Sequence, residues 1–218
     1  MTDTPFPLGR RVHHDPRSRA FPARRVDTYS PVHDVAHRHY GPILSQGTLG
    51  SCTGHALVDC LMTKPYYRGT AKLGHDDAVR AYHRATQIDP FDGEWPPTDT
   101  GSDGLDVCRA GVEFGWITGY DHAFGIDHLL GALMLGPVMV GTDWHEASFD
   151  PDPRTGRISI AGPVAGGHEY VITAKRGAWL RLLNSWGPRW ALNGYAWIRI
   201  TDLADLLAAS GDATVPRR

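Results

Sequence analysis

The spacing of apolar residues changes period part-way along the chain. Between Ser51 and Met62, Ala56, Leu57, Cys60 and Leu61 recur at helical intervals and Pro65 closes the run, which predicts a helix with Cys52 at its start. Asp76-Asp77 lead into Val79, Tyr82 and Ala85-Thr86, a second helix with acidic residues at its N-terminus. Ser102 or Asp103 offers a cap for a third helix reaching Phe114, with Gly115 as its stop. Ile126 to Leu135 reads as a short helix halted at Gly136-Pro137. From Val138 onward β-branched and aromatic residues take over, predicting strands over Val138–Thr142, Glu169–Ala174, Trp179–Leu183 and Tyr195–Ile200. Thr201–Ala209 reads as a last short helix, and the proline- and glycine-bearing runs 89–102 and 150–156 as loops. Helices first and strands afterwards predict an α+β protein.

Composition narrows this picture. With 218 residues, 41% of them hydrophobic and 21% charged, the chain can bury a core and reads as a single unit over 1–218. Within it, 1–30 reads as an extended arm rich in Arg, Pro and Asp, 46–115 as mainly helical and 116–209 as mainly β. A net charge of -2 gives no electrostatic case for nucleic acid. No apolar run is long enough to span a membrane, and the first residues lack a charged-then-apolar leader, so a soluble, cytoplasmic protein is expected. Three cysteines, Cys52, Cys60 and Cys108, make no disulfide framework. Cys60 and Cys108 sit among apolar helix positions and read as structural. His13, His14, His33, His37 and His39 lack the context of a known metal motif and are expected at the surface; no metal and no cofactor is expected.

Four residues stand in informative local frames. Gln46 opens Gln-Gly-Thr-Leu-Gly-Ser-Cys, which ends at Cys52; His168 closes Gly-Gly-His; Asn184 begins Asn-Ser-Trp-Gly, followed by Trp190 and Asn193-Gly194-Tyr195. Thiol-based acyl transfer needs a nucleophile, a base, a group that orients the base and an oxyanion donor, and these residue types can supply all four. With Gly136-Pro137-Val138 between them, the ordered motifs resemble those of papain-like cysteine peptidases over roughly residues 25 to 205. The resemblance implies two lobes, helical first and β-rich and barrel-like second, with a groove between them. It implies Cys52 as nucleophile, His168 as base and proton donor, Asn184 as the group orienting the imidazole under Trp186, and Gln46 as oxyanion donor. Gly141, Gly166, Gly167, Glu169 and Trp186 would line the substrate groove, and Glu169 beside His168 would give its main pocket an acidic floor suited to a basic side chain, unless strand alternation turns it away.

The partners so implied are a peptide or protein substrate and a possible protein inhibitor. The same residues would also serve an amidase or transpeptidase, and an inactive fold used as a binding module is the other alternative. The sequence departs from the family pattern at Leu49, where a cysteine is usual, at Thr53, where a tryptophan is usual, and at Glu169, where a small apolar residue is usual. The 45 residues before Gln46 hold six prolines and no sustained helical period, so no helical blocking propeptide is expected.

Overall fold

The computed structural model describes residues 4–23, 32–69 and 72–218. Among these, five α-helices and seven strands alternate in a pattern that puts most helices first: α1 (Cys52–Leu61), α2 (His75–Ile88), α3 (Gly104–Glu113), α4 (Gly125–Leu133) and α5 (Ile200–Ala209). All ten residues of α1 are buried. Such a helix must be enclosed on every side, and Gly54 makes this possible: a Cβ there would lie 2.1 Å from the Ala78 carbonyl of α2. Helix α2 turns Ala78, Ala81, Tyr82 and Ala85 inward, the spacing of one helical face. Asp103 caps α3 by accepting a hydrogen bond from the Asp106 N–H at 2.8 Å. No helix among the described residues is long and apolar enough to cross a membrane.

The strands are β1 (Val35–Ala36), β2 (Gly119–His122), β3 (Val138–His145), β4 (Val164–Arg176), β5 (Trp179–Leu183), β6 (Tyr195–Arg199) and β7 (Asp212–Arg217). They form one antiparallel sheet in the order β2-β7-β3-β4-β5-β6, with β1 on the far end of β4. The path does not return on itself, so the barrel-like lobe expected from the resemblance is an open sheet: β2 and β6 end it and do not pair.

Strand alternation divides the core between the two faces. Val138, Val140, Tyr170, Ile172, Leu180 and Leu182 face α4 and α5, packing with Leu129, Leu133, Leu203 and Leu206. Met139, Val171 and Leu183 face the other way, onto Leu57, Leu61, Val107 and Cys108 of α1 and α3. The helical lobe is therefore sealed to the sheet through the middle of β4. At ~25 cal/mol per Å² of apolar area, each fully buried leucine in this seam stabilises by roughly 1.5–3 kcal/mol.

Candidate active site

Cys52 is the first residue of α1, where unpaired helical N–H groups and the helix dipole favour a thiolate. It is also fully buried, and burial, with the amides of Glu169, Gly9 and Thr53 only partly offsetting it, pushes the thiol up to about 12.

His168 stands on β4, opposite Thr142 of β3. The strand begins at Val164, earlier than the sequence predicts, so the imidazole projects from a paired strand. Its Nε2–H donates to Asn184 Oδ1 at 2.7 Å, and the same oxygen accepts from the Ser185 N–H at 2.7 Å. This leaves the buried Nδ1 without a hydrogen-bond partner among the described residues. Burial brings the imidazole down to about 4 against the opposing effect of Asn184, so the ring is neutral at pH 7. Trp186 stacks on it at 4.6 Å between centroids, and Trp144 meets it edge-on at 4.9 Å.

Gln46 is held from both ends. Its Oε1 accepts from Ser185 Oγ at 2.7 Å, and its Nε2 donates to Leu49 O at 2.8 Å and toward Pro7 O at 3.4 Å. Ser185, inside the Asn-Ser-Trp-Gly run, thus ties the oxyanion candidate to the imidazole-orienting amide. Contacts join His168, Asn184, Ser185, Gln46 and Trp186, and Cys52 at the start of α1 meets the same stretch of β4 at the Glu169 amide, next to His168. Cys60 and Cys108 lie away from these residues, packed against Pro137 and Met139.

The seam is not open. The N-terminal arm runs along it as an extended strand. Gly9 O accepts from the Ser102 N–H at 2.9 Å, Arg11 N–H donates to Ser102 O at 2.7 Å, and Arg10 N–H donates to Gly167 O at 3.0 Å. The arm is thus hydrogen-bonded to both walls, one before α3 and the other on β4. Approach is close enough to require glycine: a Cβ on Gly9 would sit 1.8 Å from Gly50 O, and one on Gly101 2.4 Å from Gly9 O. Tyr82 and Asp99 brace this wall, since Gly50 N–H donates to Asp99 Oδ2 at 2.7 Å and Gly101 N–H to the Tyr82 hydroxyl at 3.0 Å.

Phe6 covers the outer face of Trp186 at 4.5 Å, Leu8 packs over Gly166, and Arg10 turns into the protein beside Gly141 and Glu169. Beyond it, His13 reaches Asp103 at 2.9 Å and Asp106 at 3.3 Å. The groove is thereby covered by a segment of the arm expected over 1–30. The blocking segment is extended and not helical, so helical periodicity gave no sign of it. Residues 1–3 and 24–30 of the expected arm lie outside the described residues.

Three histidines expected at the surface are likewise engaged. His13 pairs as above, His37 lies 2.7 Å from Leu133 O, and the His39 side chain is buried near Asp59. His13, Asp103 and Asp106 are the cluster of metal-ligand types found among the described residues, with ligand atoms within 4.8 Å of one another.

No protein-family model matches the sequence, and no curated protein matches it. Solved structures do. Xylellain, a cysteine protease from Xylella fastidiosa, superposes with a TM-score of 0.78 at 16% identity, over 98% of this chain and 97% of that one. The chain has the papain-like fold. A procathepsin B from Trypanosoma congolense matches at TM-score 0.66 and 11% identity, over 96% of this chain and 86% of that one. A recombinant stem bromelain precursor matches at 0.59 and 14%, over 97% and 74%. At such identities the likeness is one of fold, and what the papain-like scaffold does here rests on the residues in the seam.

Those residues include several that sequence reasoning missed: Phe6, Arg10, Ser102, Trp144, Ser185 and Asp212. Ser185 lay within a recognised motif and was legible. Arg10 and Asp212 come from opposite ends of the chain, and nothing in the sequence joins them.

Proposed function

We propose that the chain is a cysteine peptidase whose groove is closed by its own N-terminal arm. The observation that carries this reading is the His168–Asn184 pair, with Nδ1 unpartnered among the described residues and Cys52 held at the adjacent Glu169 amide. An amide orients the imidazole without adding a negative charge that would compete with a thiolate for it. In this reading Cys52 loses its proton to His168, and its sulfur attacks a peptide carbonyl, forming a C–S bond. The oxyanion is met by Gln46 Nε2–H and the Cys52 backbone N–H. Collapse breaks the C–N bond, and the imidazolium passes its proton to the departing amine. Water then gives a proton to His168 and attacks the thioester, the C–S bond breaks, the acid leaves and the thiol is re-formed.

That the groove binds main chain is supported by the arm, which already lies there as a peptide held by both walls. With the arm seated, the thiol and imidazole are both neutral at pH 7, and the Gly9 amide stands at the sulfur where a substrate would have to lie. The test is hydrolysis of a peptide library by full-length Gly9→Val, in which the new side chain cannot fit against Gly50. Cleavage that disappears in Gly9→Val/Cys52→Ala supports the reading. Undiminished cleavage in the double variant rejects Cys52 as nucleophile, and no cleavage by Gly9→Val rejects the peptidase itself.

A further inference from the structure

Arg10 is one of the most enclosed charged side chains of the protein: its side chain is 0% exposed, and a buried arginine persists only when paired. Its Nε–H donates to Asp212 Oδ2 at 3.1 Å, its Nη2 donates to Ser210 O at 2.6 Å, and Nη2 also bonds the same Asp212 oxygen. Asp143 and Glu169 add their attraction from β3 and β4. Ser210 Oγ, donating to Asp143 Oδ2 at 2.9 Å, holds that second carboxylate in place. Both Glu169 oxygens are buried with no hydrogen-bond partner among the described residues, as is Nη1 of Arg10.

The space is made by glycine. A Cβ at position 141 would lie 2.4 Å from Glu169 Oε2 and 2.7 Å from Arg10 Nε, and one at 104 would lie 2.7 Å from Glu169 Oε1. Asp212 forms the ion pair with the guanidinium, Asp143 lies beside it, and Glu169, pushed well above the usual carboxylate range by burial and by Asp212, completes the wall, so without Arg10 these acids would face each other with no cation. An apolar side chain cannot relieve that.

We propose that this cavity of Gly141, Asp143, Glu169, Ser210 and Asp212 is an arginine-recognition subsite, occupied by the chain's own Arg10 and otherwise filled by an arginine of the substrate. It lies one residue along the groove from Gly9, whose amide faces Cys52. The substrate side chain it selects is therefore the neighbour of the residue that is acylated. This deepens, and rests on, the peptidase reading. Guanidinium is favoured over ammonium because its fork of N–H donors meets two separate acceptors, Nε and Nη2 on Asp212 Oδ2 and Nη2 on Ser210 O. The arm does not present itself as a substrate would need to. The Gly9 carbonyl is spent on Ser102, and an amide N–H faces the sulfur, so the occupant of the subsite is retained and not cut.

The experiment uses full-length Arg10→Ala, which frees the cavity while leaving Cys52, His168 and Asn184 untouched. Cys52 should alkylate at least ~10-fold faster than in the parent chain, and fluorogenic peptide amides with Arg next to the cleaved residue should be turned over about 100-fold faster than those with Leu. Arg10→Ala/Asp212→Asn, which removes the carboxylate that pairs with the guanidinium, should bring the two rates close to parity, with its thermal midpoint checked so that misfolding is recognised. Equal rates for Arg and Leu peptides in Arg10→Ala would overturn the proposal, and so would alkylation no faster than in the parent.

A second readout needs no turnover. The peptide Pro-Leu-Gly-Arg-Arg, copied from residues 7–11, should protect Cys52 of Arg10→Ala from alkylation, and Pro-Leu-Gly-Leu-Arg should not. If no peptide is hydrolysed yet this protection discriminates, the peptidase reading fails and the arginine subsite stands. Equal protection by both peptides removes the subsite.

Discussion

A histidine with one nitrogen hydrogen-bonded and the other bare is a group whose proton has been placed. Asn184 Oδ1 fixes the hydrogen on Nε2, and Trp186, Trp144 and burial exclude water from the ring. Two consequences separate the residues involved. In an arm-released background such as Arg10→Ala, His168→Ala removes the base altogether and should lower kcat/KM about 10²- to 10⁴-fold. Asn184→Ala leaves a base with a freer tautomer and orientation, and should cost less than His168→Ala. Steady-state rates on one peptide decide this, and an Asn184→Ala loss as large as that of His168→Ala would mean the amide does more than orient. Ser185 belongs to the same unit, because it joins Gln46 to the strand end that carries Asn184.

At the scale of elements, the arm is the part whose placement matters most. Its main chain makes three hydrogen bonds to the main chain of the two walls among the described residues, but its closeness depends on a glycine facing a glycine: Gly9 against Gly50. Gly9→Val should therefore unseat the arm without touching either lobe's core. The expected result is alkylation of Cys52 at pH 7 at least ~10-fold faster than in the parent, because opening the groove restores solvent to a thiol that burial holds up at about 12. Peptide mapping after timed labelling checks it, with Cys60 and Cys108 as internal controls that should stay slow in both proteins. Unchanged labelling of Cys52 would show that the arm leaves the groove readily even in the parent chain. The helices were easier to read than this arm. Helix α2 shows its inner face in the spacing of Ala78, Ala81 and Ala85, whereas β7 and β2 carry Asp212, Pro216, Gly119 and Asp121 and are strands only because they pair with one another and with β3.

Across the whole molecule, buried titratable groups make stability depend on pH. His55 on α1 is buried, and burial followed by the nearby His75 lowers it to about 4, while its ring nitrogen meets Ser51 O at 2.9 Å. A base with a depressed folded-state pKa stays neutral when folded. Above about 6.5 both states are neutral and the protein has its full stability. Between about 6.5 and 4 the unfolded chain takes up the proton first, so stability falls as pH falls, by up to about 3 kcal/mol for this residue. Urea titrations at pH 7 and pH 4.5 should show that loss, and His55→Gln should reduce it. Asp103 works in the opposite sense. Burial and the neighbouring Asp106 raise it to about 7, so the folded state takes up its proton first and gains stability as pH falls. His55→Gln must therefore be compared with the parent at each pH; an identical pH dependence in the two would remove His55 as a contributor.

Read by itself, the sequence determined the helical-then-β order, the α+β class and the local frames around Gln46, Cys52, His168 and Asn184. Each of these is written in neighbouring residues, as a periodicity, a cap or a short motif. Only the tertiary structure decided that the sheet stays open, that Glu169 points into the protein beside Arg10, and that an extended arm lies over Cys52. The physical reason is the same in each case. An open or closed sheet is a question of which edge strands meet. The direction of Glu169 follows from the register of β3 on β4, which sets it opposite Gly141. The seat of Arg10 is built from residues more than 100 positions away, and an extended peptide carries no period that announces where it will pair.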